Sequence, residues 1–278
     1  MQVPWLVLLA VGMTQGVRVS TNGMPATVSV PCSVPCFHSE NRPWGVRHLT
    51  IEGLPYTFVQ SMEGPQYYPE LCVEPHHPTK KWSTTSFQST IPMPYFSWAE
   101  YRIQNPSVDF TKVQKAASFI ANNCNSKNNR EALVRNLMKH TSVKSLSGCL
   151  HNAESPVGNH DKNLMMQQYL FNLAFENQCE PDYITEKLWG ALQSGTLPVY
   201  YGAPNIKEHT PPHSVIVAND FENTQELANY LNYLANNHTA YQEHHAWRTQ
   251  PLPPWFVKKY NFTHTHSDCR ICQWAALE

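Results

Sequence analysis

The stretch Tyr169-Leu-Phe-Asn-Leu-Ala-Phe-Glu-Asn177, then Gln-Cys-Glu-Pro, then Asp182-Tyr-Ile-Thr-Glu-Lys187, holds the densest set of side chains able to do chemistry. An apolar run ending in Glu176 and Asn177 reads as a buried strand that delivers polar groups to its carboxyl edge. Thr185, Glu186 and Lys187 then fall in the first turn of a helix. Free amides and the positive end of the dipole make a helix N-terminus a seat for phosphate, and Lys187 beside it can neutralise a diphosphate. Glu186 would repel one, so its chemistry is to accept hydrogen bonds from ribose or sugar hydroxyls. Together they suit a nucleotide-sugar better than a bare phosphate. The plainer alternative, open on spacing alone, is that Glu186 complements the helix dipole while Lys187 is solvated. Arg130 opens another helix after a polar loop, where its guanidinium could clamp the same diphosphate or sit exposed.

Other polar constellations carry less. His264, His266, Cys269 and Cys272 spell His-x-His-x-x-Cys-x-x-Cys, four potential zinc ligands. The long spacer that separates ligand pairs is missing, and in an oxidising compartment Cys-x-x-Cys is more often a local disulfide. Glu243-His244-His245 lacks the four-residue histidine spacing of metalloproteases and reads as a polar helix face. Eight cysteines and two glycosylation acceptors, Asn237-His-Thr and Asn261-Phe-Thr, point to the secretory lumen. A net charge of −1 with no run of one sign excludes a general affinity for nucleic acid or anionic membrane. Val3 to Met13 is an uncharged apolar run, too short for a bilayer span, and reads as a degenerate signal, an anchor remnant or a buried strand.

The elements that must position these residues begin near Val113. Ala117–Ala121 reads as a strand, Asn122–Asn129 as a loop and Arg130–His140 as a helix. Val143–Leu146 and Leu170–Phe175 follow as strands, then a helix over Glu186–Gln193 closed by Gly195. Strands at Leu197–Tyr201 and Ser214–Val217 precede a helix with Leu227, Leu231 and Leu234 on one face, Asn223 at its N-cap and Glu226 at N3. Strands alternating with helices predict a parallel sheet that binds ligand beyond its carboxyl ends. The first hundred residues are proline-rich; Tyr56–Gln60 is extended, and the segment between Pro69 and Ser86 lacks an apolar strand, with Cys72–Lys81 a poor core strand.

Phe-Glu-Asn, a short gap and Asp-Tyr-Ile-Thr-Glu-Lys resemble the signature of the α1,3-fucosyltransferases. Ser61-Met-Glu-Gly-Pro-Gln-Tyr-Tyr-Pro69, Pro94-Tyr-Phe-Ser-Trp-Ala-Glu-Tyr101, Phe119-Ile-Ala-Asn-Asn-Cys124, Gly202-Ala-Pro-Asn-Ile206, Cys32-Ser-Val-Pro-Cys36 and Cys269-Arg-Ile-Cys272 are most similar to the plant-type enzymes of the N-glycan core. Gln178 and Cys179 depart from the pattern, which has Ser or Thr after Phe-Glu-Asn. The resemblance implies an α/β, GT-B-like fold of two facing Rossmann-like domains, the N-terminal one abbreviated. It implies a signal-like or anchor segment at 1–24, an acceptor-side domain at 25–112, a GDP-fucose-binding domain at 113–250 and a C-terminal segment at 251–278. By motif, Arg130 and Lys187 contact the diphosphate, Tyr183 and Glu186 the ribose or fucose, Asn177 lies near the transferred sugar, and Glu63 is the catalytic carboxylate. The implied reaction moves fucose from GDP-fucose, with inversion, to GlcNAc of an N-glycan in the Golgi lumen. The alternatives are Lewis-type transfer to N-acetyllactosamine, or a degenerate homologue that only binds nucleotide or glycan. No metal is required, with a divalent cation such as Mn2+ as an optional stimulant; the membrane is met only through an N-terminal anchor.

Overall fold

In the computed structural model, residues 45–51, 53–158 and 161–278 are described, together with the backbone of three earlier strands. Those strands are β1 (Val17–Thr21), β2 (Met24–Val28) and β3 (His38–Ser39); β1 and β2 form an antiparallel pair. Val3 to Met13, Cys32 and Cys36 lie outside the described residues. β3 joins β4 (Arg47–Thr50), β5 (Thr57–Gln60) and β6 (Lys80–Ser83) in a four-stranded sheet, antiparallel at β3–β4 and β4–β5 and parallel at β5–β6. β6 corrects the expectation of a missing strand. Its Lys80-Lys81 start hides the pattern, but Trp82 is buried against Val59 and Leu71, and that burial fixes the pairing.

The alternation after Val113 builds the second sheet. Its strands are β7 (Gln114–Phe119), β8 (Val143–Ser145), β9 (Tyr169–Phe175), β10 (Leu197–Tyr201) and β11 (Ile216–Val217). They lie in the order β8-β7-β9-β10-β11, all parallel. This is the doubly wound order in which the chain leaves the centre one way and returns to leave the other. The carboxyl ends of β7 and β9 therefore diverge into opposite loops and open a crevice between them.

Helices cover both faces. α1 (Arg130–Leu137) and α4 (Thr224–Asn236) pack together, with Val134, Leu137, Leu227, Leu231 and Leu234 buried in one core. α2 (Lys162–Met166) and α3 (Glu186–Ser194) pack on the other face, where Leu188, Trp189 and Leu192 meet Phe96, Phe256 and Tyr260. α1 ends three residues before the expected His140 because the chain turns at Met138, with Thr141 N–H bonding Leu137 O. Asn223 caps α4 as expected, accepting from Glu226 N–H at 3.0 Å. Gly195 ends α3 at φ +82°, and a Cβ there would strike Pro106 O.

Three short helices complete the chain: α5 (His238–Glu243), α6 (Pro254–Tyr260) and α7 (Ser267–Ala275). α7 returns to the first sheet, where Ile271 and Trp274 pack on Leu49 and Phe58. His244 and His245 are not a polar face: His245 is buried beside Arg248, and His244 is held by Tyr230 and His213 O. The helix ends at Glu243, so the two rings turn inward. Among the described residues no helix is long and apolar enough to cross a membrane.

Candidate active site

β9 ends at Phe175, and the next side chain, Glu176, is fully buried. Its Oε1 accepts from Thr185 N–H at 2.7 Å and its Oε2 from Thr185 Oγ1–H at 2.8 Å. Thr185 is the N-cap of α3, accepting from Lys187 N–H. One carboxylate thus clamps the start of α3 to the end of β9 and aims the helix N-terminus at the sheet's carboxyl edge. Lys187 Nζ lies 3.4 Å from Glu176 Oε2, 3.3 Å from Glu186 Oε1 and 2.9 Å from Thr185 Oγ1. It is held rather than solvated. Burial works to lower the Lys187 pKa, and the carboxylates of Glu176 and Glu186 outweigh it, so the ammonium stays charged. Burial raises the Glu176 carboxyl, opposed by Lys187 and the Thr185 donors. Burial also works to raise Glu186, but Lys187 holds it below its ordinary value.

Glu186 and Lys187 line a cavity of about 230 Å³ with Tyr101, Asp161, Lys162 and Asn172. A second, of about 420 Å³, shares Ile120 and Lys162 with the first and reaches Asn122, Gly148, His151 and Glu154 beyond β7 and β8. The two adjoin along the carboxyl edge. Arg130 stands behind this edge. It is 2 % exposed, its Nη1 donates to Phe175 O at 2.6 Å and its Nη2 to Asn123 O at 3.0 Å. The guanidinium fastens the ends of β7 and β9 together and lines neither cavity; burial lowers its pKa.

Among the described residues, eight buried side-chain polar atoms lack a hydrogen-bond partner, and four belong to Asn128, Arg130, Asn177 and Gln178. They cluster where β7 and β9 end, although none of the four residues lines the cavities. Asn177 uses its backbone oxygen for Lys127 N–H at 2.8 Å and leaves its side-chain oxygen unsatisfied.

Glu63 reaches the edge from the other sheet. The loop after β5 is fixed by Ser61 Oγ, which donates to Gly45 O at 3.0 Å and accepts from Glu63 N–H at 3.0 Å. Gln178 Oε1 accepts from Gln66 N–H at 3.2 Å, and a Cβ on Gly64 would collide with the Gln178 amide. Gln178, the departure from the family pattern, is therefore the seat on which the Glu63 loop rests. The Glu63 charge is felt by Tyr95 and Tyr183, whose phenols are driven far above their ordinary values, first by burial and then by neighbouring charges. The two rings meet edge to face at 6.4 Å. Tyr95 also walls a third cavity, of about 110 Å³, with Met62, Ser97, Glu100, His266 and Arg270. Glu63 and Tyr183 line none of the three cavities. The charges of Glu63 and of Glu176, the partner of Lys187, both reach Tyr95 and Tyr183.

Cys124 and Cys149 form a disulfide that ties the loop after β7 to the end of β8, a pairing the sequence did not single out. Cys269 and Cys272 are disulfide cysteines as well, which removes the zinc reading. His264 instead stacks on Trp98 and His266 caps α7. Among the described residues no cluster of three or more His, Cys, Asp or Glu could hold a metal. Asn261 is exposed, whereas Asn237 is half-buried, capping α5 and donating to Tyr233 OH at 3.0 Å. The sequence brings Glu176 to the strand's edge without giving it a role; only the fold shows that it clamps Thr185.

Residues 110–277 match the family description "Glycosyltransferase family 10 (fucosyltransferase) C-term". A fucosyltransferase-like protein of Arabidopsis thaliana is 37 % identical over 220 residues, covering 78 % of this chain and 42 % of that protein. The GDP-fucose protein O-fucosyltransferase 3 of Danio rerio is 40 % identical over 139 residues, covering 47 % and 30 % respectively. A crystal structure of α1,3-fucosyltransferase with GDP-fucose superposes on 56 % of this chain and 43 % of its own, at 28 % identity and a TM-score of 0.45. The chain spans less than half the length of these relatives.

Proposed function

This chain belongs to glycosyltransferase family 10, the fucosyltransferases, and from that premise we propose that it binds GDP-β-L-fucose at the N-terminus of α3 and transfers fucose with inversion. The observation that carries the reading is Lys187 and Glu186 side by side on the cavity wall at that helix end. The ammonium and the helix amides match a diphosphate; the Glu186 carboxylate matches ribose or fucose hydroxyls. The adjoining cavity past β8 has room for the base. By the family motif Tyr183 and Asn177 are assigned beside the transferred sugar, and Arg130 acts from behind by holding the carbonyls of Phe175 and Asn123 in place.

Chemically, an acceptor hydroxyl attacks the anomeric carbon from the face opposite GDP. The bond to the diphosphate breaks, with its electron pair leaving on GDP, where Lys187 offsets the developing charge. Glu63 takes the acceptor proton. Lys187 and the α3 amides supply the positive charge, so no resident metal is required, and a divalent cation such as Mn2+ is an optional stimulant. We assign the acceptor to the cavity walled by Met62, Tyr95 and Arg270, which opens beside the Glu63 loop, and take it to be GlcNAc of the N-glycan core, joined by an α1,3 linkage. The Cys124–Cys149 disulfide supports an oxidising lumen, which we take to be that of the Golgi.

An acceptor panel tests this reading: GDP-fucose with a core chitobiose glycan, N-acetyllactosamine, and a folded protein acceptor. Transfer to the core glycan is the expected result. Transfer to either of the others reassigns the acceptor. GDP binding without transfer to any of them marks a binding homologue.

A further inference from the structure

A buried polar cluster lies directly behind Tyr183, outside the donor contacts just proposed. Its centre is Asp182, at φ +64° in the left-handed region that non-glycine residues seldom occupy. Asp182 Oδ2 accepts from Phe87 N–H at 2.8 Å. Its Oδ1 accepts from Asn205 Nδ2–H at 2.8 Å and lies 3.0 Å from His209 Nε2, while its own N–H donates to Asn205 Oδ1 at 3.0 Å. His209 is 1 % exposed, and its Nδ1 lies 2.7 Å from Tyr260 OH. Tyr260 is buried and its phenol far above the ordinary value, so it is the proton donor to Nδ1, and Nε2–H faces Asp182. The chain Tyr260–His209–Asp182 thus gathers Phe87, the Gly202-Ala-Pro-Asn-Ile206 loop and α6 onto the residue next to Tyr183.

We infer that Asp182 and His209 are positioning residues for the donor: neutral His209 holds Asp182, and through it Tyr183 and the first turn of α3, in the geometry that receives the nucleotide. Protonating His209 places a second proton, on Nδ1, in the gap already filled by the Tyr260 hydroxyl hydrogen. It also sets a cation 3.2 Å from Lys259 Nζ. The charged or titratable groups facing the ring are Asp182, Glu208, Lys259 and Tyr260. Burial first, then Lys259, lower the imidazole pKa against the pull of Asp182 and Glu208. The arrangement is therefore intact above the ordinary imidazole range and lost as pH falls through the lowered value. Asp182 is held down to about 2 by the donors from His209, Phe87 and Asn205, which outweigh its burial, so it stays ionised throughout.

This inference rests on the donor site proposed above, and GDP binding by the full chain, measured by calorimetry from pH 7.5 to 4.5, tests both. In His209→Gln the amide can accept from Tyr260 and donate to Asp182 but cannot titrate. It should bind GDP at pH 7.5 within about threefold of the parent and weaken less on acidification; comparing the two removes the nucleotide's own titration. His209→Ala should bind about tenfold more weakly at pH 7.5, the scale of one lost supporting hydrogen bond. A His209→Gln profile parallel to the parent's overturns the inference, as does folded His209→Ala binding within twofold. Should His209→Ala not fold, the His209→Gln profile decides. A parent that binds no GDP sinks the donor site itself, and this inference with it; a parent that binds while the variants behave alike sinks only the inference.

Discussion

Lys187 sits between the carboxylates of Glu176 and Glu186, so its charge is compensated within the protein until a ligand takes a share of it. Removing it leaves the buried Glu176 carboxylate with only its Thr185 hydrogen bonds and takes a charge-assisted contact from the nucleotide. Lys187→Ala should weaken GDP binding by ~1.5–3 kcal/mol, read by calorimetry; unchanged affinity removes Lys187 from the donor site. Glu63→Gln keeps nearly the same shape and should keep GDP-fucose binding while transfer falls ~10²–10⁴-fold. Transfer within a few-fold of the parent would pass the role to Glu100, the carboxylate that lines the acceptor-side cavity. Glu186 and Lys187 were legible in the sequence because strand, loop and helix cap are all local patterns. Arg130 was legible as a helix start but not as a buried fastener, since its partners Phe175 O and Asn123 O come together only when β7 and β9 pair. Gln178 looked like a mere departure; its use as the seat of the Glu63 loop depends on a contact more than a hundred positions away.

At the scale of elements, the strands of the parallel sheet could be read from their apolar runs, and their parallel sense from their alternation with helices; their order, with β7 and β9 at the centre, came only from the fold. β6 and α2 could not be read. β6 is set by one tryptophan after two lysines, and α2 is a five-residue helix started by the Asp161 cap. The Cys124–Cys149 bridge was equally hidden, because pairing among eight cysteines is not fixed by spacing. It closes a loop spanning α1, with a sequence separation of 25, and cross-linking a loop of that order limits the unfolded chain by ~3 kcal/mol. Replacing both cysteines by serine should lower unfolding free energy by about that amount in urea titration. GDP affinity should fall as well, because the loop carries Lys127 and Asn128, which bond to Asn177 O and Glu176 O. Loss of stability with unchanged affinity would make the bridge purely structural.

Over the whole molecule, buried imidazoles set the acid limit. His245 is pushed down to about 3, first by burial and then by Arg248 and His244; His209 and His244 are lowered too, chiefly by burial. A lowered folded pKa means the unfolded chain takes up protons first, so this stability is present above the ordinary imidazole value and is lost as pH falls. Glu176, raised by burial, has the opposite sign and partly offsets the loss. Unfolding free energies from urea titration should therefore decline from about pH 6.5 downward; a flat profile to pH 4 would contradict the buried, neutral state of these rings. The two sheets meet at the candidate site through contacts such as Gln66 to Gln178 and Phe87 to Asp182, a closure that no local pattern reports. Every role proposed at the donor site requires a nucleotide seated along the carboxyl edge of β7 and β9. Amide hydrogen exchange with and without GDP measures this directly. Protection should concentrate at residues 120–129 and 185–190 and be absent from the first sheet at 47–60. Protection confined to the first sheet, or none anywhere at saturating GDP, would contradict it.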